Sequence, residues 1–219
     1  MKFNFVLMLV LLLPAVTLSA KSAGQVDPAQ KHEVRLGLGD MLFETLIWNN
    51  QVHKDYSAGL PGSVFNEKRD YAYSPHISGE YTYRILPWLS LGGIVDFQIT
   101  GWKNHQYDNT NREVNVSNGN FYNLCIMPSV RFNYFRREHV ELYSAIAAGM
   151  DINGGTETDS FGRHTEVGVA ADLRFIGAAF GSGCWWGFIE LGGTYALRNK
   201  NCMYLMNSEI FKLGVSYKF

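Results

Sequence analysis

Cysteine is scarce in this chain: Cys125, Cys184 and Cys202 are the only three in 219 residues, and an odd number excludes a fully paired disulfide framework. Charge of one sign is also lacking. A net charge of −1 gives bulk electrostatics no reason to attract nucleic acid or a strongly acidic partner. Beyond residue 20 no segment is long and apolar enough for a membrane helix, so any membrane span has to be built from strands. His53, His105, His139 and His164 stand singly, no cluster of His, Cys or carboxylates has metal-ligand spacing, and no metal or other cofactor is implied. Gly37, Gly39, Gly92, Gly93, Gly192 and Gly193 sit within alternating segments, where small residues permit close packing, and form no phosphate loop. No shift in composition marks a linker, which leaves one domain.

What the chain does have is period-two alternation. Its last nine residues set Phe211, Leu213, Val215, Tyr217 and Phe219 on one face and Lys212, Gly214, Ser216 and Lys218 on the other. At the other end, Lys2 precedes an apolar run over residues 5–13 and a small-residue exit over residues 14–20, the pattern of a secretory signal peptide. The expected organisation is a removed signal peptide (1–20), a short N-terminal segment (21–31) and a barrel (32–219). Hydrophobic content of 47% is ordinary, so the arrangement of the apolar residues carries the argument; aromatic content of 14% suits interfacial girdles.

Alternation predicts eight strands, at residues 33–39, 76–85, 89–101, 121–135, 140–152, 165–175, 185–196 and 208–219. Pro128 weakens the fourth locally, because proline removes a ladder donor. The connections fall into two groups. Long ones lie near residues 49–70, 103–119, 153–163 and 197–207, short ones near 86–88, 136–139 and 181–183. Residues 41–47 break the alternation and read as a short helix or an irregular strand.

The closing strand, with its terminal aromatic preceded by alternating apolar residues, and the long–short hairpin rhythm resemble small bacterial outer-membrane β-barrels of the OmpA/OmpX type. The resemblance implies an all-β, eight-stranded antiparallel up-and-down transmembrane barrel in the outer membrane of a Gram-negative bacterium, with long outer loops and short periplasmic turns; the expected organisation departs from OmpA in having no soluble peptidoglycan-binding domain. It also implies that Leu213, Val215, Tyr217 and Phe219 form the signal read by the barrel-assembly machinery, and that outer-membrane lipid and lipopolysaccharide surround the wall.

With the charged face turned inward, Glu33, Arg35, Glu80, Arg84, Asp96, Arg131, Glu141, Asp172, Arg174, Glu190 and Lys212 gather in the lumen. A one-residue slip would turn them into lipid, where each Arg or Lys at mid-membrane costs about 2–4 kcal/mol. Eight strands enclose a space only wide enough for side chains, so paired charges are expected to close it. His76, Ser78 and Glu80 share one strand face and contain the ingredients of acyl transfer. The His-x-Ser pattern resembles outer-membrane lipid A deacylases, but there the site faces lipid, whereas these three groups face the lumen. No catalytic residue is therefore assigned. Cys184 and Cys202 belong to opposite ends of the expected barrel and are not expected to pair.

The expected function is a non-enzymatic barrel with a filled polar lumen, holding surface loops for adhesion, binding or envelope integrity. Alternatives are a narrow ion or small-solute channel and, less favoured, a lipid A-modifying acyl hydrolase. Loop residues 52–56, 65–70, 103–107 and 111–114 mix aromatics with charges, a composition able to bind extracellular protein or glycan.

Overall fold

The computed structural model describes residues 30–40, 66–108, 110, 112–157, 163–197 and 209–219. The signal segment, the reading at 41–47, loop residues 52–56 and 65, His53, Asn111 and Cys202 lie outside the described residues. The described residues form nine strands: β1 His32–Gly39, β2 Asn66–Tyr73, β3 His76–Leu86, β4 Leu89–Tyr107, β5 Glu113–Arg136, β6 Val140–Glu157, β7 Arg163–Ser182, β8 Trp185–Leu197 and β9 Phe211–Lys218. All pairings are antiparallel, and the described residues contain no helix.

Nine strands make eight staves. β3 pairs with the first half of β4 and β2 with its second half, so β2 and β3 are two pieces of one stave interrupted at Ser74 and Pro75. Pro75 has no N–H to give the ladder. Ser74 bridges the gap: its N–H donates to the Ile99 carbonyl at 2.8 Å, and its hydroxyl accepts the Ile99 N–H at 2.9 Å. The pairings β4–β5 and β1–β9 then close the sheet into a ring.

The strands outrun the alternation that revealed them. β2 covers residues assigned from sequence to the first outer loop, and β4 and β5 extend as a ribbon through most of the second, with Lys103 paired to Asn118 and His105 to Val116. The third expected loop shortens as well, because β6 runs to Glu157 and β7 begins at Arg163. These segments carry amides and charges on both faces; with no apolar core to cover, a strand loses its hydrophobic period while keeping its ladder. The ribbon turns at Asp108, whose Oδ1 accepts from the Thr110 hydroxyl (2.6 Å), Thr110 N–H (2.8 Å) and Arg112 N–H (2.9 Å). These bonds, the hydroxyl one foremost, hold the Asp108 carboxyl below the usual carboxylate range. The last short turn is Gly183–Cys184 and not 181–183. Gly183 has φ of 60°, a conformation that suits glycine.

The two faces of the wall differ sharply. In β1, Leu36 is 62% exposed on the outside and its neighbour Arg35 is 1% exposed on the inside. In β9 and the residue that follows it, Leu213, Val215, Tyr217 and Phe219 face out, while Lys212, Ser216 and Lys218 are buried. β-Bulges interrupt the register at 84–86, 133–135, 143–145 and 174–176. Two of them put consecutive apolar residues, Ile85 with Leu86 and Phe175 with Ile176, on the outer face. Near the short turns the exterior carries aromatics: Trp185 meets Tyr217 edge-on at 5.0 Å, and Trp88 stacks on Phe132 at 6.4 Å.

Closure depends on glycine at one tight crossing. A Cβ on Gly214 would lie 2.1 Å from the Leu36 carbonyl oxygen across the β1–β9 seam. Gly214→Val is therefore expected to abolish the compact form that migrates differently in unboiled and boiled gel samples, whereas Val215→Leu, on the outer face, is expected to retain it.

Candidate functional site

The interior of the barrel holds the dense chemistry of this protein, and alternation is what delivers it there. Each stave contributes every second side chain, so residues such as Glu33 and Arg35, or Asp172 and Arg174, arrive as neighbours on one strand and find partners across the ring. Glu33, Arg35, Arg84, Asp96, Arg131, Glu141, Asp172, Arg174, Glu190 and Lys212 are all buried inside, and the Glu80 side chain is 10% exposed. Three tiers result.

Nearest the short turns, Glu141 on β6 gathers cations from three other strands. Lys218 Nζ donates to it at 2.7 Å, Arg136 Nε lies at 2.6 Å and Arg84 Nη2 at 3.6 Å. The Lys218 ammonium also sits 3.5 Å from the centre of the Trp186 ring, a cation–π contact inside the barrel.

In the middle tier Arg131 on β5 spans two carboxylates, Glu33 at 2.7 Å and Glu80 at 2.6 Å. Arg35 donates to Glu33 at 2.8 Å, to the Tyr143 hydroxyl at 2.6 Å and to Glu190 at 3.1 Å. The Tyr143 hydroxyl in turn donates to Glu190 at 2.7 Å, and both guanidiniums lie over the Tyr143 ring. Tyr143, Ala179, Trp186 and Phe188 form an apolar knot beside these charges.

The third tier is a cross-bar. Arg174 donates to Asp172 and to Thr194, and it pairs with Glu209; Lys212 lies 3.2 Å from Glu209 and 3.9 Å from Asp96; Asp96 meets His76 Nδ1 at 2.9 Å. The bar thus runs from β7 through the start of β9 to β4 and β3. Beyond it the inward side chains are largely amides and hydroxyls, with Asn123 donating to Asp151 at 2.5 Å beside the buried Cys125.

Several members were not in the network expected from sequence. Glu209 falls within the last strand expected at 208–219 but not in the expected lumenal set; in the structure it precedes β9, and its carboxylate occupies the room left by Gly39, where a Cβ would lie 1.9 Å from Glu209 Oε1. Lys218 belongs to the polar face expected for the last strand, and Tyr143 and Asp151 share the parity of Glu141 along β6, so the pattern points all three inward although their partners are not legible from it. His76, Ser78 and Glu80 are drawn apart: His76 pairs with Asp96, and Glu80 pairs with Arg131. Serine, base and acid are not joined into a relay. His105, on the ribbon, lies 3.6 Å from Asp70 and 3.4 Å from Glu113, and His139 lies beside Glu138 in a short turn. Among the described residues no group of three or more His, Cys, Asp or Glu could hold a metal ion.

Such a network can do two things chemically: neutralise charge across the barrel axis and fill the cross-section. Its net contribution to stability is small, because desolvation offsets attraction, but removing one partner strands the others without water. Arg131→Met is expected to lower unfolding free energy by about 3–5 kcal/mol in urea titrations of the refolded protein. Adding Glu33→Gln and Glu80→Gln to the same chain should recover most of that loss.

No protein-family model and no curated protein matches the chain. Among solved structures it is similar to the Yersinia pestis outer membrane protein Ail in a phospholipid bilayer nanodisc, with 16% identity and a TM-score of 0.37, over 87% of this chain and 99% of that one.

Proposed function

We propose that the protein is a non-enzymatic outer-membrane β-barrel of a Gram-negative bacterium, a rigid wall whose outer ribbon and loops are its working surface. The observation that carries this reading is the inversion of polarity. Leucine, isoleucine, valine and aromatic side chains cover the outside of a closed sheet, and the ionic groups occupy its inside. In water that arrangement leaves a continuous apolar surface far larger than a soluble monomer exposes. In a bilayer it is the low-energy choice.

The same interior argues against the alternatives. A channel for ions needs a path, and three tiers of paired side chains cross the lumen. A lipid A hydrolase needs its nucleophile at the acyl chains, and Ser78 is buried inside. On this reading the short turns face the periplasm, Leu213, Val215, Tyr217 and Phe219 present the assembly signal on the outer face of the closing strand, and lipopolysaccharide borders the upper wall. The β4–β5 ribbon, carrying Lys103, His105 and Tyr107, reaches beyond it toward extracellular protein or glycan.

Two measurements test the proposal. Protein reconstituted into planar bilayers is expected to give no steady single-channel current; discrete steps that change on Glu80→Gln would favour the channel instead. Deleting residues 104–116 is expected to leave a heat-modifiable barrel in the outer-membrane fraction while cells lose adhesion to immobilised glycoprotein. Unchanged adhesion would remove the ribbon from the working surface.

A further inference from the structure

Between the middle tier and the cross-bar lies a small cavity of about 10 Å³, bordered on its polar side by Arg35, Ser78, Glu80, Arg174, Glu190 and Lys212 and elsewhere by Ile94, Ala145 and Phe188. Two groups on residues of this lining are buried and have no hydrogen-bond partner among the described residues, the Arg35 Nη2 donor and the Glu80 Oε1 acceptor. Their residues are otherwise engaged, Arg35 with Glu33, Tyr143 and Glu190, and Glu80 with Arg131. An unmatched donor and an unmatched acceptor around one small space require a ligand that is both.

We infer that this cavity is a binding site for a single water molecule, which accepts from Arg35 Nη2, donates to Glu80 Oε1 and so bridges these two residues of the middle tier. The size fits: a volume of this order admits the centre of about one water-sized sphere. So does the charge. Every cation in the lining already faces a carboxylate and Glu80 already faces Arg131, so a bare ion would enter stripped of its hydration without an uncommitted counter-charge. Water carries no such penalty and typically makes about three hydrogen bonds when buried. The Ser78 hydroxyl, in the same lining, is the third partner.

The site separates two kinds of interior. A dry plug would hold its tiers together through direct contact alone; a hydrated one uses a neutral molecule to satisfy groups that the staves hold too far apart. Such a molecule accounts for the unmatched Arg35 Nη2 and Glu80 Oε1 on two residues that border the same cavity.

The test is a high-resolution crystal structure of the protein refolded in sodium bromide, so that any anion trapped on closure is bromide. The expected result is one ordered peak within hydrogen-bond distance of Arg35 Nη2 and Glu80 Oε1, without anomalous signal. An anomalous peak there would make the ligand an anion, and an empty cavity or direct Arg35–Glu80 contact at these atoms would remove the ligand altogether; either overturns the inference. An Ala145→Val variant, whose added methyls enter the cavity, is expected to lose the peak and unfold at lower urea than the parent. Retention of the parent's midpoint without the peak would contradict the bridging role, and if that variant does not fold the parent's density decides alone.

Discussion

In the bilayer proposed for this protein, a charge facing acyl chains is the one thing the wall does not tolerate. At about 2–4 kcal/mol for each lysine or arginine at mid-membrane, a handful of misplaced cations would exceed the net stability of an ordinary domain. Arg35, Arg84, Arg131, Arg174, Lys212 and Lys218 all escape that cost by sharing one side of the sheet. The register of every pairing follows from it, since a slip by one residue would exchange the faces. The filled lumen follows as well. Once the cations are inside a ring of eight staves they need counter-charges within reach, and Glu33, Glu80, Glu141, Asp172, Glu190 and Glu209 supply them.

The seam between the first and last strands shows how much closure asks of a few residues. His32 and Phe219 exchange backbone hydrogen bonds at 2.8 and 2.9 Å, and their rings stack at 5.4 Å on the outer surface. At the opposite end of the same seam, Asp40 Oδ2 accepts the N–H groups of Ile210 and Phe211. Between them Gly214 lets the Leu36 carbonyl approach. Glu209, entering just before β9, ties this seam to Arg174 on β7, two staves along the wall, so the last joint of the ring is braced from outside and from within.

The strands of the apolar belt were legible in the sequence because an apolar outer face and an ionic inner face impose a period of two. Where one of those faces ends, so does the signal. β2 reads Asn66-Glu-Lys-Arg-Asp-Tyr-Ala-Tyr73, with nothing apolar to alternate until its last residues, and it hid in what looked like a loop. The upper halves of β4 and β5 hid in the same way. The side of the wall on which a charge lies could be read from parity; its partner could not. Partners are set by the stagger of staves around the ring, a property of closure with no one-dimensional trace. His76 shows the consequence: its chain neighbours Ser78 and Glu80 looked like companions, while its actual partner, Asp96, comes from the next stave.

All of this rests on which side of the sheet meets hydrocarbon. Spin labels introduced singly at Leu91, Val130 and Leu213, and at the positions of Arg84 and Asp172, in protein reconstituted into lipid vesicles would read that directly through collision with oxygen or with a water-soluble nickel chelate. The account predicts that oxygen relaxes the first three and leaves the other two weakly affected. Nickel contact at Leu91, Val130 and Leu213, with oxygen-rich surroundings at 84 and 172, would contradict it.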